Sequence, residues 1–268
     1  FGPATWLTVG GDGAVTVFAG KVEYGQGIRW GLAIAAAEEL GLEPSVISVV
    51  LGDTERTPWD IGTFGSQSTR HTGVQVRKAA ATARQALIEL AAGRLDLPPD
   101  QLICRDGRMA SMADPGRSVS LGELVAGQSV VREIPEEAPV HAPAEFTVMG
   151  GYVRRTDGLQ RVTGRAVYAQ DVVRPGMLFA RVLRPPAYGA HLERLDDGVA
   201  TRMPGVASVV RDGDLVAVLA ESDQQADAAH DLLIADWSER AGQISQWDLP
   251  AALAADPHDP VVTQELGD

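Results

Sequence analysis

Gly20-Lys-Val-Glu-Tyr-Gly-Gln-Gly27, running straight into Ile28-Arg-Trp-Gly-Leu-Ala-Ile-Ala-Ala-Ala-Glu-Glu-Leu40, is the stretch that decides the fold. Two glycines flank Gln26 and a run of apolar and small residues follows, which predicts a turn opening a helix over 28–40. A second turn of the same kind, Thr63-Phe-Gly-Ser-Gln-Ser68, opens a helical stretch over Thr69–Leu95. A helix N-terminus exposes main-chain N–H groups and the positive end of the helix dipole. A glycine-rich turn ahead of it therefore lets an anionic or acceptor-rich ligand reach the main chain. Gln26, stripped of steric cover by Gly25 and Gly27, can present one acceptor and two donors to the edge of a heterocycle. Ser66, Ser68 and Thr69 are N-cap residue types that also suit phosphate oxygens. Taken by spacing alone, the simpler reading is a tight strand-to-helix turn with serines that only cap, since short glycine motifs recur in many unrelated chains.

Upstream, Trp6–Gly20 alternates apolar and polar positions around Gly10-Gly-Asp-Gly13, which predicts a hairpin whose second strand, Ala14–Ala19, feeds the first turn. On the predicted helix, Ile28, Leu32, Ala35, Ala36 and Leu40 fall on or near one side, and Gly41 is the C-cap. Val46–Leu51 is a β-branched run of strand length, closed by Gly52-Asp-Thr54. The loop Glu55–Gly65 carries Trp59 and Phe64 as exposed aromatics and delivers the chain to the second turn. His71, one turn into the second helix, reads as a cap-region or packing residue, and Leu97-Pro-Pro99 stops that helix.

Residues 100–131 read as strands and turns around Gln101-Leu-Ile-Cys-Arg-Asp-Gly-Arg108, with Cys104 as a buried structural thiol. A lone cysteine excludes an intrachain disulfide and cannot by itself hold an iron–sulfur cluster. A Pro-, Glu- and Ala-rich linker at 134–144 sets an expected domain boundary near residue 145. Beyond it, strands at Met177–Leu183, Val206–Val210 and Leu215–Ala220 alternate with helices at Val199–Met203 and Gln224–Leu233, and Asp212-Gly213 makes a hairpin. The expected fold is α+β in two domains, 1–145 and 146–268. Arg154, Arg155 and Arg161 could meet a phosphate but read better as a solvated or interfacial face, and His191, His230 and His258 read as isolated structural or surface residues.

With 268 residues, 45% hydrophobic and 22% charged, the composition is that of a soluble globular protein, and no apolar run approaches the roughly 20 residues that span a bilayer. A formal net charge of −13, with scattered carboxylates, argues against a nucleic-acid surface. Only Lys21 and Lys78 are lysine; the remaining cations are arginine.

Phe18-Ala-Gly-Lys-Val-Glu-Tyr-Gly-Gln-Gly-Ile28, Ala36-Ala-Glu-Glu-Leu40, Val49-Val-Leu-Gly-Asp-Thr54 and Gly65-Ser-Gln-Ser68 resemble the molybdopterin-binding subunit of the xanthine dehydrogenase/aldehyde oxidase family. Within it they most resemble the isoquinoline 1-oxidoreductase and nicotinate dehydrogenase branch. Arg161-Val-Thr-Gly-Arg-Ala-Val-Tyr-Ala-Gln-Asp171, Pro175-Gly-Met-Leu178 and Met203-Pro-Gly-Val206 are similar to that family's a/b hammerhead domain, in the same order. The resemblance implies a molybdopterin-binding portion followed by a hammerhead-like domain. It further implies a role in hydroxylating an N-heterocycle or an aldehyde with oxygen from water.

By that resemblance Gln26, set between Gly25 and Gly27, hydrogen-bonds the pterin, while Gly65, Ser66, Gln67, Ser68 and Thr69 contact its phosphate or an appended nucleotide, as in molybdopterin cytosine dinucleotide. Iron–sulfur [2Fe–2S] clusters and FAD or a cytochrome belong on other subunits. The family's Gly-Gly-Gly-Phe-Gly segment and the Gly-Glu motif carrying its base glutamate have no match in this sequence, and His141-Ala-Pro143 departs from the family's longer His-Ala-Pro stretch. With those motifs missing and the chain stopping at Leu266-Gly-Asp268, two explanations fit, a fragment or a large subunit split over two polypeptides; the expectation is the split subunit needing a second polypeptide, in a bacterial-type complex of cytoplasm or periplasm. The other reading is a non-catalytic assembly module of such a complex.

Overall fold

The computed structural model describes residues 5–238 and 245–255; His258 and the ending Leu266-Gly-Asp268 lie outside them. The chain divides into two compact units, Phe1–Ala169 and Gln170–Asp268. The composition shift near residue 145 does not coincide with this division. Residues 146–169 join the first unit, for a reason that lies in the helix Ile28–Leu40.

The first unit begins with β1 (Leu7–Val9) and β2 (Val15–Ala19), antiparallel across the Gly10–Gly13 turn with Val9 opposite Val15. Helix α1 (Ile28–Leu40) then carries the chain to β3 (Ile47–Leu51), which lies parallel to β2. A parallel pair needs such a crossover, and α1 supplies it. Val15, Val17 and Ala19 are buried on one face of β2, as period-two alternation requires. Gly41 caps α1 at φ 58.

Helix α2 (Val74–Leu95) continues a π-helical turn at Ser68–Gly73 and packs against α1. Ala36, Ala37, Ala80 and Ala81 are fully buried, and their small side chains let helices approach closely. Asp96, at φ 50, ends α2 ahead of Leu97-Pro-Pro99. Strands β4 (Leu102–Arg105), β5 (Arg108–Ser111) and β6 (Ser118–Ser120) form an antiparallel sheet. The Asp106-Gly107 turn between β4 and β5 has both residues at positive φ. Short α3 (Leu121–Val125) starts on a reciprocal Ser120–Glu123 capping box. Cys104 is buried, its thiol 2.9 Å from the Leu40 carbonyl it donates to, and burial pushes its pKa up to about 12.

Besides the apolar side of α1 expected from the sequence, Glu38 and Glu39 are buried, their side chains 1% and 0% exposed. A buried carboxylate persists only if donors and cations surround it. Glu39 is met by Arg77 at 2.6 Å and Arg84 at 2.8 Å from α2, and by the N–H of His141 at 3.0 Å. Glu38 accepts the N–H groups of Thr147, Val148 and Met149 at 3.0, 2.8 and 2.7 Å. Arg84 also reaches the Pro139 carbonyl and the His141 ring, and Arg77 lies over the Phe146 ring at 4.9 Å. The 134–144 segment, which composition marks as a linker, is thereby fastened onto the two helices. Beyond it, α4 (Gly158–Val162) has no buried residue.

In the second unit, β7 (Phe179–Leu183), β8 (Leu192–Asp196), β9 (Val206–Asp212) and β10 (Leu215–Ala220) precede α5 (Asp223–His230), β11 (Ile234–Trp237) and α6 (Leu249–Ala255). One antiparallel sheet has the order β7-β10-β9, and β8 pairs with β11. Sequence reasoning finds β7, β9, β10 and α5 but misses β8, whose Leu-Glu-Arg-Leu-Asp run is mostly charged, and β11, whose Ile-Ala-Asp-Trp run is only four residues long. The helix expected at Val199–Met203 is a single 3-10 turn, Ala200–Arg202. Ala200, Val218 and Ala229 form a small core. His191 pairs with Asp214 at 2.8 Å and His230 with Asp231 at 3.4 Å.

Glu39→Ala, which leaves Arg77 and Arg84 without their carboxylate, is expected to cost about 3–5 kcal/mol in urea unfolding. Burial pushes Glu38 up, but the N–H groups of Met149, Thr147 and Val148 and the field of His141 outweigh it and hold the carboxyl below its usual range. Such a group stabilises the fold fully above its unfolded pKa of about 4.3, and that contribution disappears as pH falls through the lower folded value. The stability gap between the native chain and Glu38→Gln should therefore narrow on acidification below about pH 4, measured by urea unfolding across pH.

Candidate functional site

The two turns singled out in the sequence lie side by side in the first unit and are tied to each other. Val22 donates its N–H to Thr63 Oγ1 at 2.8 Å, and Tyr24 Oη donates to the Thr63 carbonyl at 3.0 Å. Beneath them Lys21, only 3% exposed, donates through Nζ to Asp60 Oδ1 and the Gly62 carbonyl, both at 2.7 Å. Desolvating an ammonium requires such a carboxylate, so the ion pair fixes the 55–65 loop against the first turn. Trp59 and Phe64 are exposed on that loop.

The first turn departs from expectation. Gly25 and Gly27 have φ of 121° and 90°, conformations suited to glycine, and Gly27 serves as the N-cap of α1. The donors at this helix start are already engaged by an internal anion. Glu23 Oε1 accepts the N–H groups of Gly25 and Gly27 at 3.0 Å each, and Oε2 that of Arg29 at 3.1 Å. Burial raises the Glu23 pKa, and those three N–H bonds together with Arg161 bring it below the ordinary value. An anionic ligand is thus not needed at α1, because the chain carries its own. Gln26 is exposed, but its amide is turned into the loop: Oε1 accepts from Tyr24 N at 2.9 Å and Nε2 donates to the Val22 carbonyl at 2.8 Å. One N–H and one lone pair of that amide remain to offer a ligand.

Nor do the glycines leave open space. A Cβ on Gly27 would lie 2.9 Å from Arg155 Nη1, and one on Gly25 would lie 3.4 Å from Arg161 Nη1. Asp157 binds both arginines, accepting from Arg155 Nε and Nη2 at 2.9 and 2.8 Å and from Arg161 Nε at 2.8 Å. The hydrogen bond from Arg155, aided by Arg161 against the cost of burial, holds the Asp157 carboxyl well below the usual carboxylate range.

The second turn is different. Gly65 and Ser66 sit at φ 63° and 57°, and Gln67 already has helical dihedrals. An N-cap needs an extended residue. Accordingly neither Ser66 nor Ser68 caps, and the chain enters α2 through the π-helical turn Ser68–Gly73, a geometry that recurs at functional sites. Among the described residues the hydroxyls of Ser66, Ser68 and Thr69 make no hydrogen bond; Ser66 and Thr69 are exposed, as are Arg70 and His71. These groups, with the N–H groups of the π-helical turn, suit the oxygens of a phosphate. The self-capped first turn suits a neutral heterocycle edge. Among the described residues no three His, Cys, Asp or Glu side chains are placed to hold a metal ion.

Glu23, Lys21, Asp60, Arg155, Asp157 and Arg161 were all missed as site residues by sequence reasoning. Lys21 and Glu23 lie inside the Phe18–Ile28 block and Arg161 opens the Arg161–Asp171 block, but nothing in the sequence joined the two.

The first unit is thus an α+β module presenting two tied turns at helix starts, one filled by its own carboxylate and one with donors to spare. The model of the molybdopterin cofactor-binding domain matches residues 2–172, and the chain belongs to that family. It is 37% identical over 276 residues to one of the subunits of the nicotinate dehydrogenase of Pseudomonas putida, covering 99% of this chain and 23% of that one. To the beta subunit of the isoquinoline 1-oxidoreductase of Brevundimonas diminuta it is 30% identical over 274 residues, covering 88% of this chain and 35% of that one. The chain therefore spans about a quarter to a third of the length of these relatives. Quinoline 2-oxidoreductase from Pseudomonas putida 86 aligns over 44% of this chain and 15% of its own, at 25% identity and a TM-score of 0.40.

Gly27→Ala, which meets Arg155 and forces a side chain to φ 90°, should destabilise the chain by more than about 1 kcal/mol. Gly31→Ala, inside α1 with nothing within 4 Å of the new Cβ, should instead stabilise it by about 0.4–1 kcal/mol. Thermal unfolding of the two variants side by side checks both signs.

Proposed function

We propose that this chain is the cofactor-cradling part of a molybdenum hydroxylase that acts on an N-heterocycle or an aldehyde. The observation that carries this reading is the juxtaposition through Thr63 of an amide-bearing, self-capped turn with a hydroxyl-rich π-helical turn, in a chain of the molybdopterin cofactor-binding domain family.

Gln26 would turn its free N–H and lone pair to the pterin edge, with Gly25 and Gly27 supplying the positive-φ backbone that its turn requires. Gly65, Ser66, Gln67, Ser68 and Thr69 would hold the pterin phosphate, or the diphosphate of a cytosine dinucleotide form, through main-chain N–H and hydroxyl groups. When bound, the molybdenum–pterin group supplies two-electron oxidation of the substrate carbon with oxygen derived from water. This chain's part is to bind and orient, since its site contains no carboxylate free to take a proton: Glu23, Asp60 and Asp157 are each engaged by cations or main-chain donors. The base glutamate is assigned to a partner polypeptide, [2Fe–2S] clusters to an iron–sulfur subunit, and FAD or a cytochrome to a further subunit. Residues 170–268, the second compact unit, are assigned to a hammerhead-like domain that supports the assembly. Among the described residues no helix is long and apolar enough to cross a membrane.

The test is to purify the full chain with its bound partners from a host that makes the molybdenum cofactor, and to measure molybdenum by elemental analysis and pterin by release and fluorescence. Cofactor together with a glutamate-bearing partner is the expected result; partners without molybdenum or pterin would overturn it in favour of an assembly module. In the loaded complex Ser68→Ala/Thr69→Ala is expected to lower pterin retention about tenfold, the equivalent of one or two lost hydrogen bonds to a charged group.

A further inference from the structure

Arg155, Asp157, Arg161 and Tyr168 lie beside the first turn, and one of these side chains bonds both its Gly25 carbonyl and the carboxylate that caps it. Arg161 Nη2 donates to Glu23 Oε1 at 2.9 Å, the same oxygen that collects the N–H groups of Gly25 and Gly27. Its Nη1 donates to the Gly25 carbonyl at 2.9 Å and to Tyr168 Oη at 2.8 Å, and its Nε to Asp157 at 2.8 Å. A single planar guanidinium thus grips both the carbonyl side and the amide side of the turn.

The turn has little stiffness of its own. Gly25 and Gly27 are the residue type with the greatest backbone freedom, and Gln26 between them is held only by bonds within the loop, to Tyr24 N and the Val22 carbonyl. A group that must aim one N–H and one lone pair at a ligand needs its main chain fixed from outside. The guanidinium fork, with five donors in one plane, fixes direction as well as distance; an ammonium would supply charge alone.

Its neighbourhood also argues against a role in the core. Helix α4, which carries Arg161, has no buried residue, and the principal core cluster contains no residue of 150–168.

We propose that Arg161 is a positioning residue for cofactor binding, locking the Gly25-Gln26-Gly27 turn through Glu23 and the Gly25 carbonyl, with Asp157 and Tyr168 setting the orientation of its guanidinium. This inference rests on the assignment of Gln26 to the pterin edge.

Arg161→Ala and Arg161→Lys are compared with the native chain in the full complex, purified from a host that makes the molybdenum cofactor. Amide hydrogen exchange is followed at Gly25, Gly27 and Arg29, with Ala36–Leu40 of the same helix as the internal reference, alongside the pterin-to-protein ratio. In Arg161→Ala the three turn amides should exchange about tenfold faster or more while Ala36–Leu40 stay protected. Pterin retention should fall about fivefold or more. Arg161→Lys should recover part of both, keeping the charge beside Glu23 and losing the fork. Native pterin retention in Arg161→Ala would overturn the inference and leave the cofactor assignment standing. Exchange that accelerates equally through Ala36–Leu40 would also overturn it, as general destabilisation. A native complex without pterin would sink the cofactor assignment, and this inference with it.

Discussion

Two adjacent carboxylates buried at the end of one helix constrain the first unit more than any other interaction. Glu38 and Glu39 are side by side in sequence, so on α1 they point about 100° apart and must be satisfied from two directions. Glu39 looks to α2 and finds Arg77 and Arg84. Glu38 looks to the chain that follows the small β4-β5-β6 sheet and gathers three consecutive main-chain N–H groups. Neither carboxylate could be buried without those partners, and a segment with no buried residue of its own is fastened by supplying them. The Pro- and Glu-rich stretch is thereby part of the fold, and the residues after it are led back across the first turn.

That return path changes what the first turn can do. A glycine-flanked helix start is ordinarily an invitation to an anion. Here Glu23 takes up that role from within, and Arg161 and Asp157 balance the added charge in an alternating chain of carboxylates and guanidiniums. The helix start becomes electrically settled and geometrically rigid. The second turn has no such internal anion, and its hydroxyls and π-helical N–H groups remain open. Two similar sequence motifs therefore acquire opposite electrostatic character, one suited to a neutral ring edge and one to phosphate.

The second unit has a different logic. Its core is small, its sheets are antiparallel, and its charged side chains pair across the surface, as Arg181 does with Asp223 and Asp227 and Arg194 with Asp236. Exposed pairs of this kind contribute little to stability. With so modest a core, this unit draws less from apolar burial than the first does.

Local elements and the order of the motifs were legible in the residues alone. Alternation in 6–20, the glycine-flanked turn, the small-residue run of 28–40 and the proline stop at 97–99 are short-range signals set by backbone sterics and periodicity, and the corresponding elements formed at nearly those bounds. Several motifs in family order were also enough to point to a molybdopterin family. Where charge goes was left to the folded chain. Glu23 and Arg161 are 138 positions apart, and Glu38 and Met149 are 111 apart. No local rule distinguishes a glutamate that faces water from one that is buried among distant donors. Burial of a carboxylate is a long-range property, since its desolvation cost is met only by groups that tertiary contact brings to it. For that reason the capping of the first turn, the fastening of the linker and the openness of the second turn could be read only from the three-dimensional arrangement.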